Sequence, residues 1–307
     1  MSGAARPGAE APVRELIPDD AALAARLVAE DYLADPGLVT ALFLGLRLPQ
    51  PLLLEGEPGV GKTEAAKALA RALDTPLIRL QCYDGIDAAE ALYEWNHPRQ
   101  LLRIRLAESR GHPLAEDELF TPGDLIRRPL LAALEHPGPR PAVLLIDELD
   151  RADDEFEAFL LELLAEAAIT IPELGTIRAA HTPAVVLTSN RTRDLHDALK
   201  RRCLYHWIDY PDAEREIEIL RRRVPGTAHA LALDVTRALR RLREAGLQKP
   251  PGIAEAIDWV AALELLGMER LTPAAADCTL GSVLKYREDV ELARARGAEW
   301  LTGAARG

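Results

Sequence analysis

Gly56, Glu57, Pro58, Gly59, Val60, Gly61, Lys62 and Thr63 spell GxxxxGK[ST], the spacing of a loop that curls around phosphate. Glycines let the backbone turn its N–H groups toward an anion, and the start of the following helix, at Glu64, adds partial positive charge. On this reading Lys62 reaches the β- and γ-phosphates of a bound ATP, and Thr63 coordinates Mg²⁺. A second constellation lies at Val143-Leu-Leu-Ile146-Asp147-Glu148, an apolar run ending in two carboxylates. Asp147 is suited to hold the metal and Glu148 to orient and activate an attacking water, a second carboxylate that a kinase does not need there. Strand, loop and helix in sequence make the first signal strong against the alternative of an ordinary glycine-rich turn; the second motif, taken alone, also reads as a solvated strand end. Their occurrence in one chain, in this order, argues for both functional readings.

Such residues need a scaffold that delivers them to one edge. Pro51 to Glu55 is apolar on consecutive positions, which predicts a short strand covered on both faces, directly before the loop. The helix Glu64 to Leu73 follows the loop. Leu77 to Leu80, Ala142 to Ile146, Ala184 to Thr188 and Leu204 to Ile208 read as further buried strands, separated by stretches long enough for helical crossovers. That alternation implies a parallel sheet between helices. Upstream, residues 1–18 lack periodicity and read as a loose tail. Asp19 or Asp20 then caps a helix through Leu23, Leu27 and Val28, and a second helix covers Pro36 to Leu46. From Pro211 onward the strands stop. Asp212 to Arg223, Ala230 to Ala245, Ile253 to Leu266 and Thr272 to Arg287 read as four helices punctuated by Gly226, Gly246, Pro250-Pro251-Gly252 and Gly267. The expected organisation is a tail over 1–18, an α/β nucleotide-binding domain over 19–211 and a helical lid over 212–307.

Composition narrows the function classes. With 37 basic against 49 acidic residues the formal net charge is -12, which repels a phosphate backbone and disfavours a nucleic-acid binder. Cys82, Cys203 and Cys278 lack metal or disulfide spacing, so a reducing, cytoplasmic compartment is expected. Cys82 and Cys203 read as small buried hydrophobes. No stretch reaches the roughly 18 apolar residues of a membrane span, and no export signal is read at the N-terminus. Phe156, Phe159, Leu160, Leu163 and Leu164 recur at helical spacing and read as core packing.

Two later segments sharpen the reading. Asn190 ends the apolar run Ala184-Val-Val-Leu-Thr-Ser, where it is placed to orient the water opposite Glu148; this is the sensor 1 position of AAA+ proteins. Asp197-Ala-Leu-Lys200-Arg201-Arg202-Cys203 is a short helix ending in cations, where arginine fingers of that class lie. An arginine supplied by a neighbouring subunit stabilises transition-state charge. Arg202 is the first choice and Arg201 the second, against the alternative of a solvated basic helix end. A finger acting in trans makes oligomerisation part of the mechanism.

The chain resembles the MoxR family of AAA+ ATPases over roughly residues 20 to 290. Arg79-Leu-Gln-Cys82-Tyr83, Ala91-Leu-Tyr-Glu-Trp95, Leu199-Lys-Arg-Arg-Cys-Leu204 and Trp207-Ile-Asp-Tyr-Pro211 are similar to the branch associated with carbon monoxide dehydrogenase and other molybdenum hydroxylases. The resemblance implies a P-loop AAA+ three-layer sandwich with a smaller all-α lid and a homo-oligomeric, hexameric ring. It also implies a chaperone-like role in maturing a client metalloenzyme, with a von Willebrand factor A domain protein as partner. A helix-2 insert and a hairpin before sensor 1 are implied as well, and Leu92 to Phe120 and Ile169 to Arg178 stand in those places. Arg99, Arg103 and Arg105 in the insert face either a pore or a solvated surface neutralised by Glu108, Glu116, Asp117 and Glu118. Arg151 matches a family arginine that faces an adjacent subunit. The lid departs from the pattern: Lys249-Pro-Pro-Gly-Ile-Ala-Glu255 carries no sensor 2 arginine, and an ammonium at Lys249 lacks the planar fork that would replace it fully. Rival readings are a metal-chelatase ATPase subunit, a nucleic-acid motor, and an adaptor that binds ATP without turnover.

Overall fold

A computed structural model describes residues 13, 15–48, 50–111, 114, 115, 118–179 and 181–303. Most of the expected tail (1–12 and 14) and the insert residues Glu116 and Asp117 lie outside the described residues. By internal contacts the chain falls into two compact units, residues 1–26, 34–55 and 65–206 in one, and 27–33, 56–64 and 207–307 in the other.

The first unit is organised by β1 (Leu52–Gly56), β2 (Leu77–Gln81), β5 (Val143–Asp147), β8 (Ala184–Ser189) and β9 (Leu204–Ile208), which form a five-stranded parallel sheet in the order β2-β5-β8-β1-β9. β1 and β5 are buried at every position and β8 at all but one, as continuous apolar runs require. The expectation of full burial fails at β2 and β9. Both lie at the sheet edges, where Leu77, Ile78, Leu204, His206 and Trp207 are half-buried and Arg79 and Tyr205 exposed. Apolar content alone could not tell an edge strand from a central one. Leu53, Leu144, Ile146, Leu187, Phe156 and Leu160 belong to one core, against which Phe159 and Leu164 pack from its margin.

The short antiparallel pair β3 (Tyr93–Trp95) and β4 (Leu125–Arg127) brackets a helix, His97–Ser109, that starts where Asn96 accepts the Arg99 N–H at 3.0 Å. A second hairpin, β6 (Ala168–Ile171) and β7 (Gly175–Arg178), pairs Ala168 with Arg178 and stands just before β8. Its turn reaches Gly175 at φ 81°, a conformation suited to glycine.

The helices after β9 are Ala213–Arg223, His229–Arg243, Ile253–Leu265, Pro273–Val283, Arg287–Arg296 and the short Ala298–Thr302. The helix expected over Thr272 to Arg287 thus ends at Val283, and a further helix begins at Arg287. Leu284 leaves the helix at φ -108°, ψ 133° and is buried, its N–H capping the Leu280 carbonyl. Burial of one leucine overrides helix propensity here, and no glycine or proline marks the break. Trp259 is fully buried in this unit's core with Leu239, Leu242, Val260 and Leu280. Its indole Nε1 donates to Thr279 Oγ1 at 2.7 Å. Thr279→Val keeps the shape but leaves that buried donor unpaired, so chemical denaturation should show a loss of about 1–3 kcal/mol.

Candidate functional site

The carboxylate pair is built by three neighbouring strands. Parallel pairing sets Gln81 beside Asp147 and Ile146 beside Leu187, so Asp147 ends a strand flanked on both sides. Its side chain is only 2% exposed. Thr188 Oγ1 donates to Asp147 Oδ1 at 2.5 Å and accepts the Glu148 N–H at 2.9 Å. One hydroxyl therefore orients the first carboxylate and fixes the backbone of the second. Glu148 sits at φ 55°, ψ 49°, a left-handed corner that costs a non-glycine residue about 1–2 kcal/mol. The corner turns it away from the strand direction. Its carboxylate is 37% exposed and meets Arg151 Nη1 at 3.2 Å. Adjacent acids thus occupy opposite settings, one sealed and clamped, one at the surface and able to meet water.

The loop from Gly56 to Thr63 belongs to the other unit. Lys62 is 7% exposed, and its Nζ donates to the Gly56 carbonyl at 2.7 Å and the Glu57 carbonyl at 2.8 Å, which draws the loop around the ammonium. Gly59 lies at φ 79° and touches the helical C-terminal region: the Ile253 N–H donates to its carbonyl at 2.9 Å, and Gly252 packs on its backbone. The Gly252 N–H is held by Glu255 Oε2 at 2.9 Å, so the sequence motif and the start of helix Ile253–Leu265 are joined. Lys249, the residue in the sensor 2 region, places its ammonium 5.9 Å from the centre of the Tyr286 ring. Arg243, partly buried, pairs with Glu216 at 2.7 Å and lies 4.2 Å over Tyr210. Burial pushes the Glu216 carboxyl above the ordinary carboxylate range, and Arg243 offsets only part of that rise.

Thr63 and Asp147 each offer hard oxygen, the donor chemistry that Mg²⁺ prefers, and the orienting bond from Thr188 holds Asp147 as a metal-bound carboxylate needs to be held. Both residues fit that ion.

Residues 51–203 match the family described as AAA domain (dynein-related subfamily). The chain belongs to the AAA+ ATPases. Among curated relatives, the gas vesicle ATPase GvpN1 of Halobacterium salinarum is 26% identical over 208 residues, covering 65% of this chain and 58% of that protein. The 26S proteasome regulatory subunit 8 homolog of Schizosaccharomyces pombe is 26% identical over 215 residues, covering 64% of this chain and 42% of that protein. The chain therefore spans only about half the length of these relatives. Among solved structures, the Thermotoga maritima RuvB Holliday junction branch migration motor aligns with 80% of this chain and 66% of its own at 20% identity and a TM-score of 0.47.

The remaining candidates of this AAA+ ATPase are dispersed over the first unit. Asn190 follows β8 directly, at the end of the strand paired with β5, and is half-buried. Arg201 and Arg202 are exposed after the short helix Asp197–Lys200, and Arg202 Nη1 donates to the Leu161 carbonyl at 3.2 Å. Arg151 lies 3.9 Å from Asp84 as well as against Glu148. In the insert, Arg99 and Arg103 are neutralised chiefly by Asp124, which is buried and also receives the Thr121 hydroxyl, and not by the carboxylates of Glu108 or Glu118. Asp124 was concealed in sequence because it sits in a Pro-Gly-Asp turn 21 residues after Arg103. Burial pushes the Cys82 and Cys203 thiols up to about 12, so both remain protonated hydrophobes at neutral pH. Thr188 and Arg79, whose Nη2 lies 2.6 Å from Asp147 Oδ2, are the contributors that motif reading missed. Each is a polar residue in a mostly apolar strand, which was the available signal.

Proposed function

We propose that this chain binds and hydrolyses Mg-ATP and works in a ring of its own copies to remodel a client protein. The observation that carries the reading is the split pair at the end of β5, with Asp147 sealed and oriented by Thr188 and Glu148 turned out toward solvent on a left-handed corner. In this assignment the amides of residues 56–64 and Lys62 bind phosphate, and Thr63 and Asp147 hold Mg²⁺. Bound Mg²⁺ supplies charge neutralisation at the phosphates. Glu148 takes a proton from the lytic water and Asn190 orients it. Arg202, or Arg201 beside it, completes a neighbour's site; their exposure suits contact with another subunit.

The finer reading is a MoxR-type maturation ATPase in a cytoplasmic hexamer, acting on a metalloenzyme through a von Willebrand factor A domain partner. The hairpin before β8 and the β3–β4 insert support it, since both stand where that family carries them. Among the described residues no helix is long and apolar enough to cross a membrane. The test uses Glu148→Gln as a trap. Tagged protein is recovered from lysate of the source organism with ATP and compared with Lys62→Ala. Enrichment of a von Willebrand domain protein together with a metalloenzyme is expected. Recovery of nothing beyond the control would sink the remodelling role, and chelatase subunits in its place would move the client to metal insertion.

A further inference from the structure

Strand pairing puts a cation on the carboxylate assigned to Mg²⁺. Arg79 and Gln81 alternate onto one face of β2, and Gln81 is the register partner of Asp147. From there Arg79 turns both Nε and Nη2 onto Asp147 Oδ2, at 2.9 and 2.6 Å, while Thr188 occupies Oδ1. Its Nη2 also donates to Gln81 Oε1, which anchors the guanidinium on the strand. Asp147 is 2% exposed, so its charge requires a partner inside the protein. Arg79 is 46% exposed, so its head group has open space into which it can withdraw. A carboxylate that neutralises a guanidinium has less negative potential left for a divalent ion, and two cations on one carboxylate repel.

We propose that Arg79 is a resident competitor for Asp147 and sets how tightly this ATPase holds its divalent metal. Arg79 keeps the buried carboxylate compensated and ordered, and metal binding is weakened by the free energy of displacing or repelling its guanidinium. Arg79 is thus a positioning residue acting through Asp147. The inference rests on the assignment of Asp147 to Mg²⁺.

The experiment measures Mn²⁺ binding to the full chain by electron paramagnetic resonance of the free ion, with a non-hydrolysable ATP analogue present. Arg79→Gln should tighten Mn²⁺ about tenfold, a coupling of ordinary size between two ligands of one protein. Arg79→Lys keeps the charge but contacts as a single point, so it should tighten by about threefold. If Arg79→Gln does not fold, the lysine variant decides. Unchanged or weakened Mn²⁺ binding, with or without loss of thermal stability, would overturn the proposal and leave Arg79 a structural counter-ion. Failure of the wild type to bind Mn²⁺ with the analogue, with Lys62→Ala behaving the same way, would instead remove the nucleotide assignment itself.

Discussion

Glu148→Gln should lower kcat for ATP hydrolysis by about 10²–10⁴-fold, the usual worth of a positioned general base, while ATP affinity changes by less than about threefold. The substitution replaces one carboxylate oxygen with an amide nitrogen and keeps size and shape, so the left-handed corner and the bond from its N–H to Thr188 remain. What it loses is basicity. The lost ion pair with Arg151 is between two partly exposed groups, 47% and 37%, and contributes at most about 1 kcal/mol. Stability should therefore hold, which separates this variant from Asp147→Asn, where a sealed carboxylate loses its charge-assisted contacts with Arg79 and the fold itself weakens. Phosphate release under saturating ATP, with nucleotide binding measured on the same preparation, reads both quantities. Turnover above half that of wild type would show that Glu148 is not the base, and loss of binding in parallel with turnover would show that the corner, not the base, had been damaged.

The division between what was legible in sequence and what was not follows from how local each signal is. The phosphate loop and the Asp147-Glu148 pair were readable because backbone curl, helix start and strand end are encoded within a few consecutive residues. Central strands were readable for the same reason. Edge position was not, since only the order β2-β5-β8-β1-β9 decides that Leu77 to Leu80 faces fewer neighbours than Val143 to Ile146. Thr188 illustrates the harder case within the site. Its hydroxyl gains meaning only from strand pairing that brings it beside a residue 41 positions earlier. Asp124, which pairs with Arg99 and Arg103 across a turn, and Leu284, whose burial ends a helix early, are of the same kind. In each the deciding partner is distant in the chain, and nearby charges or propensities pointed elsewhere.

Gly252→Ala should weaken ATP binding by about 5–150-fold, the equivalent of about 1–3 kcal/mol of overpacking delivered to the phosphate loop. A Cβ at Gly252 would lie 2.7, 2.8 and 2.8 Å from the Cα, C and O of Gly59, all backbone atoms that have no rotamer by which to withdraw. The Gly252 side of the contact is also pinned. Asp289 accepts the N–H groups of Gln248 and Lys249 at 2.8 and 3.1 Å, and Arg243 Nε donates to the Pro251 carbonyl at 2.9 Å. Buried Glu216 in turn holds Arg243. The strain must therefore pass into Gly59, whose carbonyl is tied to the Ile253 N–H, and from there into the curl that aims the loop amides. Gly59→Ala should act in the same direction and more strongly, because it adds the cost of a side chain at φ 79° to a Cβ only 2.9 Å from Glu255 Oε2 and 3.0 Å from the Cα of Gly252. Gly281→Ala is the control: it lies in helix Pro273–Val283 with open space about its Cβ, so it should leave ATP affinity unchanged and raise stability by about 0.5–1 kcal/mol. Calorimetric titration with ATP, alongside thermal unfolding, distinguishes a loop distortion from general damage. If Gly252→Ala binds ATP as tightly as the wild type, the glycine pair is only a packing contact, and the phosphate loop is not coupled to helix Ile253–Leu265 through it. If affinity falls while the unfolding midpoint stays near that of the wild type, the contact of the two glycines couples the start of helix Ile253–Leu265 to the shape of the phosphate loop.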